Sequence, residues 1–98
     1  MKNELHFLDD LFLTIEKKAK SKDKKSYTKK LLKGSKKKIA QKLGEEAVEV
    51  IVDYLNGSKK RTIEEAADLL YHLFILLYSK KINLSEVKKE LIKRKNVR

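Results

Sequence analysis

The chain has 98 residues, and its 25 lysines and arginines against 14 aspartates and glutamates give a formal net charge of +11. It contains no cysteine, which excludes disulfides, thiolate metal sites and a cysteine nucleophile. No apolar stretch reaches the roughly 18–20 residues that a membrane-spanning helix needs, and the N-terminus lacks the apolar block of a signal peptide, so we expect a cytoplasmic protein. With 41% hydrophobic residues and no proline, the composition favours a single all-α domain over residues 1–98.

Hydrophobic periodicity and capping residues predict five helices. They cover about 3–20, 27–33, 35–55 and 62–79, and a last helix begins at Asn83 or Ser85. Ser26 and Ser35 are the expected N-caps of the second and third helices, and Thr62 is expected to open the fourth. This order predicts a helical bundle built on a long antiparallel hairpin of the third and fourth helices.

Positive charge is concentrated in the segment 17–42, which holds thirteen lysines and one acid and carries a net charge of +12. The rest of the chain is close to neutral. A basic stretch beside acidic runs suits a polyanionic partner that is held partly by lysines and partly through a metal ion. The alternative is a solvated lysine-rich surface with no binding role.

The third predicted helix carries a carboxylate on its packing face. Its apolar stripe consists of Ile39, Leu43, Val50 and Tyr54. A helical projection puts Glu46 inside this stripe and Glu49 at its edge, while Glu45 lies further round, where it could pair with Lys42 or Lys38. An acid aimed into a packing face breaks the binary pattern, and such breaks concentrate at functional sites.

The fourth predicted helix carries a second polar stripe of Glu65, Asp68 and His72. Glu65 has a structural alternative, because Thr62 and Glu65 have the spacing of a capping box. His72 could contribute to a mixed oxygen–nitrogen metal site, but a lone histidine in an apolar helix is more often a satisfied core residue. The same helix is apolar on nearly every side over residues 69–78, which predicts that a second copy of the chain covers it in a homodimer.

Two runs of carboxylates without a protein nucleophile favour metal-assisted hydrolysis. Clustered carboxylates repel one another, and a hard divalent cation such as Mg²⁺ or Mn²⁺ is the simplest neutraliser. Such a cation stabilises charge on phosphate oxygens and lowers the pKa of an attacking water. Residue types and spacing predict this chemistry but do not identify the substrate.

The acidic signature Glu46-x-x-Glu49 followed by Glu65-x-x-Asp68 resembles that of the all-α nucleoside triphosphate pyrophosphohydrolases of the MazG-like superfamily. Three longer stretches, 26–32, 42–50 and 65–73, together resemble the phosphoribosyl-ATP pyrophosphohydrolases. The similarity covers nearly the whole chain.

The resemblance implies the second step of histidine biosynthesis, in which phosphoribosyl-ATP and water give phosphoribosyl-AMP and pyrophosphate. It also implies a Mg²⁺ cofactor (with Mn²⁺ as a substitute), a cytoplasmic location and a homodimeric helical bundle. Carried over by motif position, the metal ligands would be Glu45, Glu46, Glu49, Glu65 and Asp68. Glu46 and Glu49 would also be catalytic. Substrate binding would fall to Lys42, Ser26, Tyr27 and Thr28.

The resemblance also implies the freestanding form of an enzyme that is sometimes fused to a cyclohydrolase. Asp53 and Tyr54 depart from the family pattern, in which we expect smaller residues. Two alternatives stay open at this point: a MazG-like enzyme that hydrolyses canonical or damaged dNTPs, and a small basic nucleic-acid-binding bundle. The lysine segment offers few stacking aromatics beyond Tyr27, which disfavours the second alternative.

Overall fold

The computed structural model describes residues 6–23 and 25–95, and within them the chain forms five helices and no strand. The helices are α1 (His6–Lys20), α2 (Tyr27–Lys33), α3 (Lys36–Asn56), α4 (Lys59–Ser79) and α5 (Leu84–Arg94). The all-α prediction is confirmed, and the predicted bounds of α2 and α3 hold to within a residue. The predicted start of the first helix, at residue 3, lies outside the described residues.

Side-chain caps begin four of the helices. Ser26 accepts a hydrogen bond from the main-chain N–H of Lys29, and Ser35 caps α3 in the same way, as predicted. Asn83, not Ser85, opens α5, where it forms a reciprocal capping box with Glu86. These side chains satisfy main-chain donors that the first helical turn leaves free, and so fix where each helix starts.

The predicted start of α4 at Thr62 is wrong. Ser58 is the N-cap and accepts from the main-chain N–H of Arg61 at 3.1 Å. Thr62 lies within the first turn, where its hydroxyl donates to the Ser58 carbonyl at 2.9 Å. Because Thr62 is not a cap, the capping-box role considered for Glu65 does not exist in this fold.

Helices α3 and α4 are joined by two residues and form the most extensive helix–helix contact of the described chain. The buried apolar core is made of Phe12, Ile15, Leu31, Ile39, Phe74, Ile75 and Leu84. It lies where α1, α2 and the start of α5 cover the N-terminal half of α3 and the C-terminal half of α4. Phe12 and Phe74 meet there edge to face, with ring centroids 5.6 Å apart.

The opposite end of the α3–α4 pair has little apolar cover in the single chain. Tyr54, predicted to continue the apolar stripe of α3, is instead 77% exposed in the described chain. Large apolar side chains are exposed there: Val48, Ile51, Val52, Leu55 and Ile63. Among the residues described, no helix is both long and apolar enough to cross a membrane.

Candidate metal centre

Three carboxylates meet on the face between α3 and α4. Glu46 and Glu49 come from α3 and Glu65 comes from α4, and one carboxylate oxygen of each lies within 4.8 Å of the others. Residues three apart share a helix face, so Glu46 and Glu49 both reach the neighbouring helix. Glu46 and Glu65 are each only 8% exposed, whereas Glu49 is open to solvent. The projection that placed Glu46 on the packing face is therefore confirmed.

The two buried carboxylates have oxygens without a partner. Within the described chain, Oε2 of Glu46 and Oε2 of Glu65 accept no hydrogen bond. A buried charged oxygen without a hydrogen bond or counter-ion is costly, and native folds rarely retain one without a reason. Carboxylate oxygens are the ligands that Mg²⁺ and Mn²⁺ prefer, so this donor set fits a divalent cation.

Glu65 also shows the effect of crowding. Hydrogen bonding with Glu49, burial, and the negative charges of Glu49, Glu46 and Asp68 raise the pKa of Glu65 to about 7. Without a cation, the cluster therefore holds a proton on Glu65 up to near-neutral pH. A cation placed among these oxygens would compete with that proton.

Arg61 supplies a positive charge at the edge of the cluster. Its Nη2 lies 3.7 Å from Oε1 of Glu65, and its Nε lies 3.9 Å from Oδ2 of Asp53. Asp53, one of the two departures from the family pattern, thus pairs with an arginine. Arg61 was not among the predicted site residues, although its spacing of four residues from Glu65 on one helix is a signal that the two side chains meet.

Two of the five predicted ligands lie outside the group of three. Glu45 is exposed, with Lys42 Nζ 3.6 Å from Oε1 and the side-chain amide of Gln41 donating to Oε2 at 3.0 Å. The Gln41 hydrogen bond, together with the nearby lysine charge, lowers the pKa of Glu45. Asp68 is exposed as well, yet its charge is close enough to contribute to the raised pKa of Glu65.

His72 holds Tyr27 beside the cluster of Glu46, Glu49 and Glu65, which we call the acidic face. The Tyr27 hydroxyl lies 2.8 Å from Nε2 of His72, and Nδ1 of His72 lies 2.8 Å from the main-chain oxygen of Asp68. Because a carbonyl only accepts, Nδ1 carries the proton, and the Tyr27 hydroxyl therefore donates to Nε2. Both ring nitrogens of His72 are satisfied, which agrees with its interpretation as a core residue. Burial raises the pKa of Tyr27, the charge of Glu46 adds to the effect, and the charge of Lys42 opposes it.

The other two predicted substrate residues have structural bonds of their own. Ser26 caps α2, and Thr28 is buried, with its hydroxyl hydrogen-bonded to that of Tyr71 on α4. Ser26, Tyr27 and Thr28 nevertheless line one cavity of about 420 Å³ between α1, the segment after it, α2 and α4. Sequence reasoning missed Tyr71, since no local pattern pairs residues 43 positions apart.

Comparison with known proteins identifies relatives over most of the chain. Residues 8–95 match the family model of phosphoribosyl-ATP pyrophosphohydrolase. The chain is 42% identical over 87 residues to a phosphoribosyl-ATP pyrophosphatase of Bacillus cytotoxicus, which covers 89% of this chain and 81% of that protein.

Two further relatives are longer. The chain is 44% identical over 85 residues to the histidine biosynthesis bifunctional protein HisIE of Staphylococcus aureus, covering 87% of this chain and 40% of that protein. It is 46% identical over 81 residues to HisIE of Staphylococcus epidermidis, and this match covers 83% of this chain and 38% of that protein. This chain thus spans about two fifths of the length of these bifunctional relatives. It belongs to the phosphoribosyl-ATP pyrophosphohydrolase family.

Proposed function

We propose that this chain hydrolyses phosphoribosyl-ATP to phosphoribosyl-AMP and pyrophosphate, the second step of histidine biosynthesis. The observation that carries the proposal is the cluster of Glu46, Glu49 and Glu65, in which two buried oxygens find no hydrogen-bond partner among the residues described. The family supplies the substrate, and the cluster supplies a centre suited to breaking a phosphoanhydride bond. The cytoplasm is the proposed location, because the proposed substrate is a charged metabolite.

The cluster is suited to Mg²⁺, with Mn²⁺ as a substitute. Glu46, Glu49 and Glu65 would hold it, and Glu45 and Asp68, at the edges of the same face, are the proposed further ligands. When bound, the cation would stabilise charge on phosphate oxygens and lower the pKa of a coordinated water.

The chain's own residues would position the substrate and accept a proton. Water attacks the triphosphate, the bond between the α- and β-phosphates breaks, and pyrophosphate leaves. Glu49, the exposed carboxylate of the three, is accessible to that water and is assigned to accept its proton. Glu46, buried like Glu65, would hold the cation between the two helices, and Lys42 would contact substrate phosphate from the open side.

We also propose a homodimer. The stretch 69–78 of α4, which was predicted to need cover from a second copy, is largely covered within the described chain, where Leu70 is its one exposed large apolar side chain. The proposed interface is instead the set of exposed apolar side chains at the uncovered end of the α3–α4 pair, a surface of the kind that a second copy covers. Analytical ultracentrifugation at micromolar concentration should find a dimer, and a stable monomer would contradict the proposal.

The activity is tested by assaying the purified protein with phosphoribosyl-ATP and with a panel of dNTPs, each with and without Mg²⁺. We expect Mg²⁺-dependent release of pyrophosphate from phosphoribosyl-ATP, and preferential cleavage of dNTPs would instead identify a MazG-like housekeeping enzyme.

Glu46→Gln should abolish turnover, while the helical circular dichroism spectrum stays that of the wild type. Glu64→Gln is the matched control, because Glu64 is the exposed neighbour of Glu65 on α4. Rescue of a histidine auxotroph that lacks this step provides the in vivo counterpart.

A further inference from the structure

The cavity of about 420 Å³ beside the acidic face has a chemical character of its own. Its volume lies within the range of about 300–1,000 Å³ that is typical of small-molecule sites. Lys17 and Lys18 line it from the last turn of α1, and Thr28 and Tyr71 line it from α2 and α4. Two lysines and several residues that carry hydroxyls therefore line the same cavity. We call it the lysine-lined cavity.

This combination fits a phosphorylated sugar. Lysine ammonium groups form charge-assisted hydrogen bonds with phosphate oxygens. Of the lining hydroxyls, those of Thr28 and Tyr71 bond each other, whereas Ser26, whose oxygen accepts from the main-chain N–H of Lys29, keeps a proton that it can donate to a sugar hydroxyl. Asp23, an acid that also lines the cavity, accepts a hydrogen bond from the main-chain N–H of Lys25 at 2.9 Å. Its second carboxylate oxygen can accept from a sugar hydroxyl.

Tyr27 connects the cavity to the candidate metal centre. Its side chain lines the cavity, and its hydroxyl donates to His72, which lies one turn from Asp68. Nδ1 of the same histidine lies 2.8 Å from the main-chain oxygen of Asp68, so these hydrogen bonds run from the cavity lining to the turn of α4 that carries Asp68. One ligand can therefore reach the acidic face with one end and the cavity with the other.

The proposed substrate has two anionic ends of this kind, since its triphosphate and its 5′-phosphoribosyl group are attached at different places on the nucleoside. We propose that the lysine-lined cavity binds the phosphoribosyl group, and that Lys17 and Lys18 thereby select phosphoribosyl-ATP over ATP and dNTPs. This assignment rests on the proposed function. It adds a specificity site that the metal chemistry alone does not require.

The test is the double variant Lys17→Gln, Lys18→Gln, with Lys89→Gln, Lys93→Gln as the control that removes the same charge from the exposed face of α5. In the test variant, KM for phosphoribosyl-ATP should rise about 10-fold or more while kcat stays near wild type, because binding common to ground and transition states is lost. The control variant should keep the wild-type KM. An unchanged KM in the test variant, or an equal rise in the control, would overturn the proposal.

Binding of ribose 5-phosphate, measured by isothermal titration calorimetry, separates this proposal from the proposed function. We expect ribose 5-phosphate to bind the wild type and the control and to bind the test variant about 10-fold more weakly. Inorganic pyrophosphate, in the presence of Mg²⁺, should bind all three proteins equally. A wild type that binds ribose 5-phosphate through Lys17 and Lys18 but does not cleave phosphoribosyl-ATP would refute the function and keep the site. The site would be refuted if the wild type does not bind ribose 5-phosphate. It would also be refuted if the test variant binds ribose 5-phosphate and pyrophosphate more weakly by the same factor.

Discussion

Replacement of Glu46 by glutamine is the sharpest test of the metal centre. Glu46 is 8% exposed, its Oε2 has no partner within the described chain, and it lies within 4.8 Å of ligand atoms of Glu49 and Glu65. Glutamine has the same shape, so the change removes one negative charge and one anionic ligand without opening a cavity. The variant should fold, and should lose most of the stabilisation that we expect Mg²⁺ to give the wild type.

The expected size follows from binding linkage. A cation present at 100 times its dissociation constant stabilises the folded state by about 2.7 kcal/mol. For a domain of this length, each kcal/mol shifts Tm by about 4–8 °C, so Mg²⁺ should raise the wild-type Tm by about 10–20 °C. If loss of the ligand weakens affinity 100-fold, the same Mg²⁺ concentration contributes only about 0.4 kcal/mol, which is about 2–3 °C.

The assay is thermal unfolding followed by circular dichroism, first in EDTA and then across a MgCl₂ series. Glu64→Gln is again the control and should keep the full wild-type shift. In EDTA, Glu46→Gln should melt at or above the wild-type temperature, since it relieves repulsion among crowded carboxylates. Equal Mg²⁺ shifts in wild type and Glu46→Gln would refute the assignment of Glu46 as a ligand.

The pH dependence of this experiment has a definite sign. The pKa of Glu65 is raised from 4.5 to about 7 in the folded, metal-free protein. The folded state therefore binds more protons than the unfolded state between these values, and the contribution of Glu65 to stability is lost as pH rises through about 7. Because Mg²⁺ competes with the same proton, its stabilising shift should be larger at pH 8 than at pH 6. A larger shift at pH 6 would contradict the raised pKa.

Three further substitutions test the packing around the site, each by urea unfolding. Tyr27→Phe removes the donor to His72 Nε2 and should cost about 1 kcal/mol, so an unchanged midpoint would argue against that hydrogen bond. Gly57→Ala would place a Cβ 2.6 Å from Oδ1 and 2.9 Å from Cα of Asp53, so it should destabilise the fold by about 1–3 kcal/mol. An unchanged unfolding midpoint would mean that the turn after α3 can move to accept the methyl group. Gly44→Ala meets no heavy atom of the described chain within 4 Å and should stabilise α3 by about 1 kcal/mol, whereas a loss would mean that something packs against Gly44.

Local signals predicted the helices well where a single capping residue was available. Ser26 and Ser35 correctly marked the starts of α2 and α3. At α4 the prediction placed the start at Thr62, which with Glu65 has the spacing of a capping box. The fold uses Ser58, which lengthens α4 by a turn and brings Arg61 onto it. Local capping patterns could not rank the two positions, because serine and threonine are both favoured N-caps.

The candidate site was predictable one helix at a time. Periodicity placed Glu46 inward on α3, since an α-helix fixes which residues share a face. It could not show that Glu49 and Glu65 approach across two helices, because that depends on how α3 and α4 rotate against each other. The Tyr27–His72 hydrogen bond is of the same kind, since its partners lie 45 residues apart.

The positions of core and acids along the α3–α4 pair explain how one small chain can hold buried carboxylates. The buried apolar cluster lies at one end, where Phe74 and Ile75 of α4 pack under α1. Glu65 lies some nine residues earlier on α4, toward the end that the other helices leave open. Repulsion among the acids therefore acts away from the contacts that hold the helices together. For this reason a change such as Glu46→Gln should alter metal binding and turnover while leaving the core intact.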